Sequence, residues 1–464
     1  MTQITMTAGP RRTTRWQDPI GAARLRHPAT SELAELPGRR GLPLIGVMPE
    51  ILLDPLGFSK RMHAAHGTAY RFHAFGEWHV HLLGAEANEL VLFDANGTFS
   101  AREGWGPLIG PLFPGALLVK DGPEHRHDRR LMGEAFKQGR LNEYGAIFAD
   151  DIAAAVSNWS GRRIDLYPEI KALTFRIAAS TFLGMSLERE ARFAVRSLTH
   201  MISSLLAMVR SPGPSLVRLR GRIAKARLDA LLARHIEQRR AQPGEDFLSR
   251  LANLREDNGE PLPVQAICDS FTFLLSAAHD TLASSLTSLV HHLAAHPDWA
   301  DRLRRELADA ALPHSAAAAT AELPLLDMFH KECLRLHGPA PVVWRRAVRP
   351  FRFGDAIIPA GTMTGVNLLM THRLPDVWPD PERFDPLRFT PEAERERSRF
   401  AYIPFGAGVH KCLGMHFAQQ QARVFAAELL GAADLRLEKP ARWYHWPNAR
   451  PRGRCLVEVL PQCR

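Results

Sequence analysis

The ten residues Phe405-Gly406-Ala407-Gly408-Val409-His410-Lys411-Cys412-Leu413-Gly414 decide how the rest of this 464-residue chain is read. A cysteine stands where a glycine-rich loop runs into a helical pattern, FAQQQARVFAAELL. The first N–H groups of a helix are unpaired and carry a partial positive charge, so they stabilise a thiolate and hydrogen-bond its sulfur. Gly406 and Gly408 allow a tight turn, Gly414 allows a flat ligand to come close, and Phe405 can pack against the sulfur. With His410 two residues before Cys412, the pattern predicts a thiolate that ligates a metal.

The remaining composition narrows the setting. Cys268, Cys333, Cys412, Cys455 and Cys463 are scattered and odd in number, which argues for a reducing compartment rather than a disulfide framework. No CxxC pair suggests a structural zinc site. A net charge of +10 is spread over arginines within helical patterns, with no nucleic-acid reading element, so a solvated basic surface or an acidic redox partner is expected. Residues 1–35 read as a flexible polar tail without a signal peptide or membrane anchor, and 36–464 as a single catalytic domain. A soluble, cytoplasmic monomer is the expectation.

Along the chain, Ala69 to Leu90 alternates like strands, in AYRFHAF and WHVHLLG. Arg102 to Gly122 reads as a long apolar loop that lines or covers a site, carrying Leu108, Ile109, Leu112 and Phe113. Val264 to Ala295, between Pro263 and the His296-Pro297 step, predicts a long, mostly buried helix. Past Arg349 a small sheet and a Pro-rich stretch, Leu374 to Phe389, lead to the cysteine loop. Met208 to Arg222 alternates apolar and basic residues and reads as a solvated loop rather than a membrane contact.

The cysteine loop resembles that of the cytochrome P450 superfamily, and four further segments follow in that family's order. They are His125-Arg126-His127-Asp128-Arg129, Ala277-Ala278-His279-Asp280-Thr281, Glu332-Cys333-Leu334-Arg335 and Phe384-Asp385-Pro386-Leu387-Arg388-Phe389. The resemblance spans roughly Leu36 to Leu460 and looks like that of a soluble bacterial-type member. It implies a mainly α fold with a small β-rich lobe, a triangular helical prism around a buried haem b (iron protoporphyrin IX). Cys412 would be the axial ligand, with Phe405, Gly406, His410 and Gly414 around it. His125, Arg129 and Arg345 would hold the propionates, although Arg346 is adjacent and could take the place of Arg345.

By the same resemblance, Glu332, Arg335 and Arg388 form a buried structural triad, and Asp280 and Thr281 deliver protons for oxygen activation. Two departures stand out: Ala278 replaces a frequent Gly, and Leu282 a frequent Thr or Ser, with Ser284 and Ser285 close by. His279 is expected to face away from the iron or towards the pocket edge.

The implied activity is monooxygenation of a hydrophobic molecule by hydroxylation or epoxidation. Electrons would come from NAD(P)H through an external ferredoxin and ferredoxin reductase, docking near Lys411, Arg126 and Arg130. Leu108, Ile109, Leu112, Phe113, Phe273, Ala277, Val342 and Val343, with Trp344, are candidate lining residues. The LPGRRGLPLIG approach and the AAHDT segment look more like the fatty-acid, sterol and retinoid-like branches, which favours a lipid, sterol or terpenoid. A peroxide-driven peroxygenase is the alternative within enzymes, and a non-catalytic haem-binding or sensor protein the alternative outside them.

Overall fold

The computed structural model describes residues 25–183, 189–210, 215–244, 246–312 and 315–462. The first 24 residues of the expected tail, residues 211–214 of the expected loop, and Cys463 lie outside them. The helices that frame the site are α1 (Ala101–Ile109), α2 (Gly122–Gly133), α3 (Gln138–Trp159), α4 (Leu166–Leu183), α5 (Arg189–Arg210), α6 (Leu216–Ala241), α7 (Val264–Ala295), α8 (Pro324–His337) and α9 (Met415–Ala432). Helix α7 starts after Pro263 and ends at His296, as the prolines predict. At 32 residues it is about 48 Å long. From Leu282 to Ala294 it is buried on every side, which explains why its sequence shows so little polar face.

The β-rich lobe is a six-stranded sheet of β1 (Gly38–Arg39), β2 (Ala69–Ala74), β3 (Glu77–Leu82), β4 (Phe99–Ser100), β5 (Val342–Ala347) and β6 (Met363–Asn367), in the order β1-β2-β3-β6-β5-β4. β2 and β3 pair antiparallel across a tight turn, and β2 buries alternate residues. The alternation predicted from Ala69 therefore ends at Leu82, and Ala85–Phe93 is helical. The last part of the expected tail also packs. Leu33 is buried, and Thr30 accepts hydrogen bonds from Trp78 through its hydroxyl and from Arg71 through its carbonyl.

The larger departure is α1, which occupies the first half of the expected Arg102–Gly122 loop. Gly104, Gly106 and Pro107 argue against a helix there, but long-range partners make it. Ser100 accepts the Glu103 N–H, and the Asp121 carboxylate accepts those of Ala101 and Arg102, closing the N-terminus from twenty residues away. Pro107 cannot donate to the Glu103 carbonyl, which Arg346 supplies through Nε at 3.3 Å instead. Gly104 lets α1 lie directly on β5, because a Cβ there would stand 2.8 Å from the Arg345 Cα.

A second device joins α6 to α7. The buried Lys225 ammonium on α6 pairs with Asp269 on α7 and with Asp229 one turn along, each at 2.6 Å. Both carboxylates pull its pKa up against the burial that lowers it.

Where the end of α7 meets α8 and the Trp443–His445 strand, five rings stack. Trp443 lies 3.9 Å from His337, His337 5.4 Å from His292, and His292 4.1 Å from Phe384, which lies 4.5 Å from His296. Both ring nitrogens of His292 lack hydrogen-bond partners. Burial pushes His292 and His337 well below the ordinary histidine value, and His445, 3.4 Å from His337, down to about 3. These rings stay neutral in the folded chain while the unfolded chain binds protons below about pH 6.5. Stability is thus unaffected above that pH and is lost as pH falls, each ring adding about 1.4 kcal/mol per pH unit. A His292→Phe substitution should flatten the acid limb of a thermal-stability profile between about pH 6 and 4. An unchanged slope would show that the stack does not set acid sensitivity.

Candidate active site

The cysteine loop is shaped by backbone contacts. The Cys412 N–H donates to the Phe405 carbonyl at 2.9 Å and the Lys411 N–H to Gly408 at 3.1 Å. Gly408 has φ +65°, and a Cβ would sit 1.9 Å from the Leu92 carbonyl oxygen, so only glycine fits. Helix α9 begins at Met415, three residues past the cysteine, and the Gly414 N–H is directed at the sulfur. Burial pushes the Cys412 thiol up, while the Gly414 N–H, Arg129 and Lys411 work in the other direction. Cys412 is nevertheless the one cysteine among those described that is solvent-accessible; Cys268, Cys333 and Cys455 are buried free thiols. A sulfur walled by protein but open on one side suits a ligand that binds from that side.

Around it lies a set of cationic and N–H donors short of anions. His125 is buried against His410 with ring centres 3.9 Å apart, and its Nε2 has no partner. Burial, then the neighbouring His410 and Arg129, hold it down at about 3. Arg129 donates to the Lys411 carbonyl at 2.6 Å, tying α2 to the cysteine loop. The adjacent arginines part company. Arg346 makes a two-pronged pair with Glu77 at 2.8 and 3.0 Å. Arg345, only 4% exposed, donates to the Trp344 carbonyl and has no carboxylate within ion-pair distance among the described residues. Burial lowers it to about 10. A buried guanidinium without a carboxylate is costly, and together with the orphaned His125 nitrogen it fits the two propionates of a haem.

Arg345→Met should therefore release haem to an acceptor protein at least about tenfold faster than the parent. Unchanged retention would remove Arg345 from the cradle.

Asp121 closes the set from beneath. Although burial opposes it, hydrogen bonds from His410, Ser100 and the Ala101 N–H hold its carboxyl at about 2. It orients His410 and caps α1 at once.

On α7, Thr281 Oγ1 donates to the Ala277 carbonyl at 2.7 Å, the ordinary back-bond of a helical threonine. Asp280 pairs with Lys171 of α4 at 2.7 Å, and the Lys171 side chain is 40% exposed. The carboxylate in mid-helix thus connects to solvent. His279 points to α4, where Nδ1 meets Thr174 Oγ1 at 3.2 Å, and burial lowers it to about 4. The serines close to Leu282 do not stand in for a second hydroxyl. Ser284 donates to the Ala449 carbonyl at 2.5 Å and Ser285 meets His330 at 2.9 Å, while Leu282 is buried in the core.

Of the expected lining residues, Ala277 is exposed, and Leu108, Phe273, Val342 and Val343 are half-buried. Ile109, Leu112 and Phe113 are buried in the main core, with Phe113 edge-on to Phe273 at 5.7 Å. Trp344 turns the other way, against His79 and His81.

The Glu332–Arg335 pair is fully buried, with contacts of 2.6 and 2.8 Å. Arg335 also donates to the carbonyls of His372, Pro381 and Arg383, and Glu332 accepts the Asp385 N–H. Arg388 is looser, 3.6 Å from Glu332, and uses its terminal nitrogen on the Asp380 carbonyl. Lys171, Asp121 and Glu77 escaped the sequence reading. Each acts on a residue at least ten times farther along the chain than a helical turn, and no local pattern marks them.

Comparison with known proteins gives the following. A family model described as cytochrome P450 matches residues 36–441. Cytochrome P450 136 of Mycobacterium tuberculosis is 32% identical over 430 residues, covering 90% of this chain and 86% of that protein. Cytochrome P450 26A1 of Xenopus laevis is 30% identical over 419 residues, covering 86% and 85%. Among solved structures, retinoic acid-bound cyanobacterial CYP120A1 superposes with a TM-score of 0.84 at 29% identity, covering 92% of this chain and 99% of that one.

Proposed function

The chain belongs to the cytochrome P450 family of haem-dependent monooxygenases, and on that premise we propose that it oxygenates an elongated apolar lipid or terpenoid with electrons from an external acidic ferredoxin. The observation that carries the reading is Asp280, which lies beside Thr281 and reaches solvent through Lys171. A peroxide-driven enzyme or a haem sensor has no need of a proton path from solvent to mid-helix.

Haem, when bound, supplies the oxygen chemistry at an iron whose thiolate ligand donates electron density. The chain's own residues do the rest. Cys412 Sγ offers the thiolate, tempered by the Gly414 N–H. Arg345 and Arg129 would neutralise the propionates, and the uncharged His125 would orient one of them by a hydrogen bond from its unpartnered ring nitrogen. Asp280 can take a proton from water at Lys171 and turn inward to hand it to the Thr281 oxygen as the Thr281 hydroxyl, released from its bond to Ala277, gives up its own proton towards the pocket, so the threonine ends neutral and Asp280 is again a carboxylate. The apolar side chains of α1 and α7 keep other water out.

The apolar lining residues support a hydrophobic substrate, and the retinoic acid in the related structure supports an elongated one. On the opposite side of the cysteine loop, Lys331, Arg399 and Lys411 border a groove with Phe400 and Phe405, a basic face suited to an acidic electron carrier. Among the described residues no helix is long and apolar enough to cross a membrane.

The test is turnover of retinoids, fatty acids and sterols with NADPH, a surrogate ferredoxin and its reductase, preceded by a screen for substrate-induced Soret shifts. Product that forms with peroxide but not with reductase would overturn the reading.

A further inference from the structure

Asp280 has a second neighbour besides Lys171. His279, the residue before it on α7, places its ring Nε2 3.7 Å from Asp280 Oδ1, and both side chains are largely buried. The ring is held on its other side. Its Nδ1 meets Thr174 Oγ1 of α4 at 3.2 Å, and the Thr174 hydroxyl donates to the Lys171 carbonyl, also at 3.2 Å. A hydroxyl has one hydrogen, and one that has given it away can only accept, so the ring proton is assigned to Nδ1. Phe175 stands edge-on to the ring at 5.5 Å and fixes its plane. Nε2 therefore turns a lone pair towards the carboxylate. Burial, opposed by the Asp280 charge and helped by Lys171, holds the ring down at about 4 and keeps that lone pair free.

Two acceptors that face each other at 3.7 Å stand outside hydrogen-bond reach, and between packed helices they repel. The approach stabilises nothing while Asp280 is a carboxylate. Its Oδ1 is paired in charge with Lys171 at 2.7 Å but receives no hydrogen bond among the described residues. One proton on Oδ1 reverses the sign of the contact, because O–H and a ring nitrogen attract where O⁻ and that nitrogen do not. Lys171 reaches this oxygen from the solvent side and His279 from the core side.

We propose, on the reading of Asp280 as the proton carrier, that His279 is a positioning residue whose Nε2 accepts a hydrogen bond from the protonated Asp280 Oδ1 and holds that proton on the core side until the carboxyl turns to Thr281. The proton bonds to Oδ1 as it leaves water at Lys171, and the same proton goes to the Thr281 oxygen when the O–H···N bond is released. The imidazole is uncharged before and after. A carboxyl without this partner returns its proton to the water it came from.

The test is reductase-driven turnover of the haem-loaded protein, with whichever retinoid, fatty acid or sterol gives the largest Soret shift. His279→Phe keeps a ring but offers no acceptor. It should bind substrate as the parent does, turn over about tenfold more slowly and show a larger solvent isotope effect. His279→Gln, which offers an amide oxygen near the place of Nε2, should recover most of the loss. In an Asp280→Asn background, His279→Phe should cost nothing further, since there is no proton to hold. Thr174→Val leaves the histidine in place but frees its ring proton to move to Nε2, and should slow turnover in the same way even if His279→Phe fails to retain haem. Parent-like turnover in both His279→Phe and Thr174→Val overturns this role for His279 and leaves the proton path through Asp280 standing. So does a His279→Phe loss that adds in full to that of Asp280→Asn, which would make the ring a packing element. A parent that forms product with peroxide but not with reductase overturns the proton path and the role of His279 together.

Discussion

Glu332→Ala should lower stability by about 3–5 kcal/mol and, with it, the fraction of chains that retain haem. The substitution leaves the fully buried Arg335 guanidinium facing three carbonyls without a counter-charge. It also frees the Asp385 N–H, which the Glu332 carboxylate accepts at 2.8 Å. Burial raises the Glu332 pKa, and Arg335 opposes it, so the pair gains little from charge alone. Removing one member is far worse than removing both. A double-mutant cycle with Glu332→Leu and Arg335→Met, read by denaturant unfolding, should show the double variant less destabilised than Arg335→Met plus Glu332→Leu would add to. Arg388→Met should cost less than either, since its contact to Glu332 is 3.6 Å. Equal losses for all three would mean that the third member is as tightly held as the first two.

Asp280→Asn should reduce reductase-driven turnover by about 10²–10⁴-fold while substrate still shifts the Soret band normally. An amide keeps the volume at the position but cannot carry the proton, and it loses the ion pair with Lys171. Solvent reaches that pair through Lys171, whose side chain is 40% exposed, so little stability should go with it. The signature that separates a proton path from a structural role is the solvent isotope effect on turnover, which should rise in Asp280→Asn. Lys171→Met should move turnover less and should not alter substrate binding. A loss in Asp280→Asn that is confined to substrate affinity would assign the carboxylate to the pocket instead.

The parts of this molecule that could be read from the chain are those whose determinants lie close together. Helix α7 is bounded by prolines at its own ends, and the cysteine loop carries its glycines, its histidine and its sulfur within ten residues. The parts that could not be read have distant partners. The helix α1 looks like a loop until Asp121 and Ser100 close its first turn and Arg346 takes the carbonyl that Pro107 leaves unused. Which of Arg345 and Arg346 stays uncommitted depends on Glu77, 269 residues away from the latter. Lys171 shows no pattern of its own. Its position opposite Asp280 exists only once α4 lies along α7.

The Arg346 guanidinium has a consequence for anyone reshaping what this protein accepts. It grips Glu77 on one strand, the Gly361 carbonyl near another, and the Glu103 carbonyl inside α1. The helix that carries the half-buried Leu108 therefore takes its pitch from a joint made of Arg346, Glu77 and the Glu103 carbonyl. Directed-evolution libraries confined to the lining side chains would alter the wallpaper and leave the wall where it stands. Varying positions 77, 103 and 346 together would tilt it.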